Sequence, residues 1–143
     1  MRKAHQGMSL IELMTVVAIV ALLGALAVST YTQYSIRANR TEARTAILRI
    51  QTAEEKSYLQ NSTYTTDFTS APPTGLGVMG SATTSNGFYT ITLAAGATGT
   101  IATSFLVTAT ATAGQTRDVA ACQTFTIDDQ GARTPADSTG CWK

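Results

Sequence analysis

From residue 8 to residue 28 the chain reads MSLIELMTVVAIVALLGALAV, 21 residues that are apolar or small except for Ser9, Glu12 and Thr15. A run of that length crosses a bilayer as a helix. It is also too large an apolar surface to stay bare in water. The carboxylate of Glu12 is the anomaly. At bilayer depth a charge of that kind costs roughly 2.5–3.5 kcal/mol on insertion scales. Directly before the run stands a short basic head, MRKAHQG, ending in Gly7. Any fold for this chain must therefore supply lipid or other chains around residues 8–28, and must give Glu12 a reason to be there.

The helical pattern does not end with the apolar run. No proline occurs before Pro72. Ala43, Ala46, Ile47 and Ile50 recur at i, i+3, i+4, i+7, and Tyr58 and Leu59 continue the stripe. Arg37, Arg40, Glu42, Arg44, Arg49, Glu54, Glu55 and Lys56 fill the positions between. One helix over residues 9–60 is expected, about 75–80 Å long at 1.5 Å per residue. Its first half is apolar all round, and its second half carries one apolar stripe.

The rest of the chain changes character. Residues 60–87 form a long connection rich in Asn, Ser, Thr and Gly with the pair Pro72-Pro73. Then FYTITLAA places Tyr89, Ile91 and Leu93 on one face, SFLVTATAT does the same with Phe105, Val107, Ala109 and Ala111, and CQTFTIDD with Phe125 and Ile127. Glycine-bearing breaks between these segments predict hairpins and an antiparallel sheet, with a short fourth strand at residues 132–134. The chain holds 26 threonines, which favours β-structure here. Charged residues make up only 13%, so hydroxyls and amides must keep this part soluble. The fold class is thus α+β: a long N-terminal helix whose second half packs on a small antiparallel sheet. The divisions are 1–7, head; 8–28, apolar helix; 29–60, amphipathic helix; and 61–143, connection, sheet and C-terminal loop.

Several function classes are excluded on composition. Net charge is +1, and without residues 1–7 it becomes −1, eight basic against nine acidic side chains. That gives no electrostatic case for nucleic acid. His5, the single histidine, lies in the head. Two cysteines without a histidine make no zinc site, and no other metal or cofactor set is present. No nucleophile–base pairing suggests an enzyme. Cys122 and Cys141, if paired, close a loop of about 20 residues worth roughly 3 kcal/mol; a buried unpaired couple is the alternative.

A basic leader ending in Gly7, followed by Met8-Ser9-Leu10-Ile11-Glu12-Leu13 and an apolar helix, resembles the class III signal of type IV pilins. The run STYTQYSIRANRTEAR and the late Cys122/Cys141 pair ending in GCWK are also similar to that family, to minor pilins of type IVa systems in particular. The resemblance implies cleavage by a prepilin peptidase between Gly7 and Met8, N-methylation of Met8, Glu12 as an assembly residue and a Cys122–Cys141 disulfide. It implies a structural subunit of a type IV pilus that serves adhesion or twitching motility. The subunit would sit in the inner membrane with its sheet domain periplasmic, meet the pilus assembly platform, and join other pilin subunits in an extracellular filament. Two residues depart from the pattern. Met8 replaces the usual phenylalanine, and Ser29 stands where many members bend the helix with proline.

Rival readings remain at this level. A secretory signal cut after Ala25-Leu26-Ala27 or a plain membrane anchor would each leave Glu12 without a role. A pseudopilin of a type II secretion system shares the N-terminus, and a DNA- or surface-binding pilin displayed on the filament is a further alternative. Arg37, Arg40 and Arg44 read as a solvated face. Asp128-Asp129 before Gly131 reads as a turn rather than a calcium site. Asn39 and Asn61 each begin a glycosylation sequon of the kind that arises by chance.

Overall fold

The computed structural model describes residues 8–136 and 139–142, the side chain at position 29 excepted. Helix α1 runs Leu10–Asn61 over 52 residues, within two residues of the expected span. It stops where Ser62 adopts a left-handed conformation (φ 57°) and its N–H returns to the Tyr58 carbonyl at 2.8 Å, which closes the last turn. The chain divides into two compact units, one ending at Ser35 and the other beginning at Ile36.

In the second unit, strands β1 (Tyr89–Ala95), β2 (Phe105–Ala111), β3 (Thr124–Asp128) and β4 (Arg133–Thr134) form one sheet in the order β1-β2-β3-β4, every pair antiparallel. Alternation decides the faces. Tyr89, Ile91, Phe105, Val107, Ala109, Phe125 and Ile127 are buried and pack with Ala43, Ala46, Ile47 and Ile50 of the helix in one core. Each large aliphatic or aromatic side chain removed from water there contributes about 1.5–3 kcal/mol.

The same alternation explains the threonines. Register sets Thr92, Thr108, Thr126 and Thr134 in one row across the four strands, and Thr90, Thr110 and Thr124 in a second. Threonine pairs directly across an antiparallel ladder contribute roughly 0.2–1 kcal/mol each. β-Branched hydroxyl side chains thus favour the strand while keeping the outer face wettable without charge.

The helix stripe departs from expectation at its end. Leu59 is 86% exposed, whereas Glu54, placed by the pattern among the solvated charges, is fully buried. Ile47, Ile50 and Glu54 lie in line at helical spacing, so position 54 falls on the core face regardless of its charge. The connection from residue 62 to residue 88 is irregular, as expected, and is tied down locally. Asp67 accepts the Thr69 and Ser70 N–H groups, both at 2.9 Å, and hydrogen bonding from the Ser70 side chain, together with these N–H groups, holds its carboxyl well below the usual carboxylate range. Gly75 approaches so closely that a Cβ there would sit 2.7 Å from the Asp67 and Ser70 carbonyl oxygens.

Candidate assembly helix and its clamp

Residues 8–28 contain no partner for their own apolar surface. Every large aliphatic side chain in that stretch is exposed, the least of them Val16 at 51%. By length and composition this is a helix able to cross a membrane. Glu12 lies in the first turn, where a carboxylate faces the positive end of the helix dipole. Its side chain is exposed, and its backbone carbonyl accepts the Thr15 hydroxyl at 2.8 Å. Met8 is exposed just ahead of the helix, one turn from Glu12 in sequence. Gly7 and the expected cleavage lie outside the described residues.

The second unit is fastened by an ion pair of which the sequence singled out only Arg40, and that as a solvated residue. Arg40 donates from Nε and Nη2 to the two carboxylate oxygens of Asp118 at 2.7 and 2.5 Å. Side-chain exposures are 12% for Arg40 and 2% for Asp118. The hydrogen bond to Asp118 raises the Arg40 guanidinium above its ordinary pKa, against the opposing effect of burial. Beside the pair, the fully buried Gln115 accepts from Asn39 Nδ2 at 3.0 Å and donates to the Ile36 carbonyl at 2.7 Å. The Val119 N–H closes the Asp118 carboxylate from behind at 2.7 Å. One loop after β2 thus grips helix residues 36, 39 and 40. Arg40 leaves the solvated face expected for it, and Asn39 is committed to Gln115 rather than offered as a sequon. Residues 114–118 read as a hairpin break because glycine and polar residues dominate there. Only their tertiary partners distinguish them from any other turn.

A second fastening lies at the C-terminus. Cys122, at the end of a single 3-10 turn (Ala120–Cys122), is bonded to Cys141 with Cα atoms 5.4 Å apart. Trp142 then packs edge-on against Phe125, and the Arg133 guanidinium sits 5.1 Å from the Trp142 ring centroid. The closed loop holds a segment with few apolar anchors of its own. Cys141→Ser is expected to lower stability by roughly 2–5 kcal/mol. Thermal unfolding with and without reductant checks this, and a variant as stable as the oxidised parent would contradict it.

Among the described residues no set of His, Cys, Asp and Glu comes together to hold a metal ion. Asp128 accepts the Gln130 and Ala132 N–H groups at 3.0 and 2.8 Å, with Gly131 at φ 75°, so the acidic pair builds the β3–β4 turn. An open groove beside the helix, lined by Glu42, Arg49, Val78, Ser81 and Asn86, presents mainly hydroxyl, amide and aliphatic groups.

Residues 29–126 match the family model described as type IV minor pilin ComP, DNA uptake sequence receptor. The chain belongs to this type IV minor pilin family. Residues 2–28 also match the prokaryotic N-terminal methylation motif. Two fimbrial proteins of Pseudomonas aeruginosa are each 41% identical over 58 residues, 41% of this chain and 38% of theirs. The type IV major pilin PilA of Myxococcus xanthus is 33% identical over 60 residues, 42% of this chain and 27% of its own. The chain thus spans well under half the length of these relatives. A type IV pilin structure from Shewanella oneidensis superposes with a TM-score of 0.53 at 23% identity, covering 76% of this chain and 98% of that one, which fixes the pilin fold. By family the chain is a pilus subunit, and family and fold are those of structural proteins.

Proposed function

We propose that this pilin is cut after Gly7, methylated on the Met8 amine, held in the inner membrane by residues 8–28 with its sheet unit periplasmic, and then drawn from the assembly platform into a filament of other pilins. The observation that carries this is the exposed apolar helix interrupted by one carboxylate. Lipid covers such a surface before assembly, and neighbouring helices cover it afterwards. Glu12 meets the α-amine that cleavage creates, a group cationic at neutral pH. The subunit serves as a minor component that supports adhesion or twitching motility, without catalysis. Mass spectrometry of the chain from sheared filaments tests the processing. The expected N-terminal peptide starts at Met8 and carries one extra methyl group. A chain starting at Met1, or at Val28 after signal cleavage, contradicts the proposal.

A second reading, display of a DNA-binding surface, is favoured by the description of the matched family. Arg37, Arg49 and Arg117 are exposed and available to phosphates. The mature charge of −1 runs against it, and its mark is an affinity for duplex DNA that falls steeply with salt.

A further inference from the structure

Glu54 is a fully buried carboxylate that neither the assembly helix nor the clamp uses. Its Oε2 accepts the Thr65 N–H at 3.2 Å, across the junction between the end of α1 and the start of the connection. Its Oε1 is buried with no hydrogen-bond partner. A buried charge held by one neutral donor is poorly compensated. Tyr64 is the residue before that donor. Its ring stacks on Tyr58 at 4.5 Å between centroids and meets the edge of Phe105 in β2 at 4.8 Å.

The charged and titratable neighbours make ionisation harder. On the helix stand Glu55, whose negative field acts on Glu54, and Tyr58. On the connection stands Tyr64, whose hydroxyl donates to Glu55 Oε1 at 3.4 Å. From the sheet side Asp129 adds a further negative field at Tyr64. Among the described residues the one ion pair is Arg40–Asp118, so no cation answers Glu54.

We propose that Glu54 is a proton-operated latch on this junction, closed when its carboxyl is neutral and released when it ionises, so that residues 62–66 lift from the helix and water reaches Oε1. Burial, opposed by the Thr65 N–H and assisted by Glu55, pushes the carboxyl up to about 7. A carboxyl raised in the closed state is stabilising to that state at low pH, and the contribution is lost as pH rises from the ordinary carboxylate range through about 7. Linkage between an ordinary value in the open state and about 7 in the closed state gives a roughly tenfold larger opening equilibrium at pH 8 than at pH 6. The device is separate from filament entry and makes the surface connection of the pilin tighter in mildly acidic surroundings.

Amide hydrogen exchange of the full chain in detergent, corrected for intrinsic pH dependence, reads the latch. Protection over residues 62–66 is expected to fall about tenfold from pH 6 to pH 8 in the parent, and to stay level in Glu54→Gln. Level protection in the parent, or the same fall in Glu54→Gln, overturns the proposal. Should Glu54→Gln fail to fold, infrared titration of the parent, read beside the parent's own exchange profile, decides. One protonated carboxyl band lost between pH 6 and pH 8 together with the fall in protection over residues 62–66 supports the latch, and complete deprotonation by pH 6, or loss of the band with level protection, overturns it.

Discussion

Asp118→Ala is expected to destabilise the unit of residues 36–143 by about 3–5 kcal/mol, the usual loss when one member of a buried ion pair is removed. The substitution leaves the Arg40 guanidinium, 12% exposed, without its counter-charge. It also deprives the Val119 N–H of its acceptor, and Gln115 of a contact at 3.4 Å. For a unit of this size the loss corresponds to a fall in Tm on the order of 10 °C or more. Thermal unfolding of the full chain in detergent, disulfide intact, is the measurement. The double variant Arg40→Met/Asp118→Leu should recover most of the loss, because an apolar pair of similar volume replaces both charges without leaving either one buried. A loss below about 1 kcal/mol in Asp118→Ala would mean that the pair behaves as an exposed salt bridge, with little structural weight.

Local pattern made most of this molecule legible. Residues 8–28 announce themselves because no water-facing structure accommodates so long an apolar run. The strand faces follow from period-two alternation, and the first part of the helix stripe follows from Ala43, Ala46, Ile47 and Ile50. Glycine-bearing breaks located the turns, including the one built by Asp128. What pattern could not show depends on partners distant in sequence. Arg40 meets Asp118 across 78 positions, and Gln115 reaches Ile36 across 79. Neither residue differs locally from a solvated arginine or a polar turn residue. Glu54 is a subtler miss. The sequence reading set it among the solvated charges, although its i+4 and i+7 relation to Ile50 and Ile47 puts it on the core face, and the geometry of the helix prevailed. Leu59 shows the converse: the stripe pattern favoured burial, but the core ends before it, and it stays exposed.

The Glu12 carboxylate bears the central claim, since nothing about crossing a membrane requires it. Replacing it with alanine removes a cost of roughly 2.5–3.5 kcal/mol from insertion, so the subunit should enter the membrane at least as well as the parent. Assembly is a different matter. On the proposal that cleavage frees the Met8 amine, that amine on an arriving subunit and the Glu12 of one already in place would attract over a few ångströms in the dry interior of a filament. That pairing offsets the burial of both charges only when the helices stand in register. Without the carboxylate the amine would be buried uncompensated, and one axial position would no longer be preferred over its neighbours. Glu12→Ala is therefore expected to cut incorporation at least tenfold, the effect of a loss of about 1.4 kcal/mol or more per subunit. The deciding measurement is immunoblotting of membrane and sheared-filament fractions from cells expressing the parent or Glu12→Ala. The account predicts equal or greater signal for the variant in the membrane and a loss of at least tenfold in filaments, and equal signal in both fractions would contradict it.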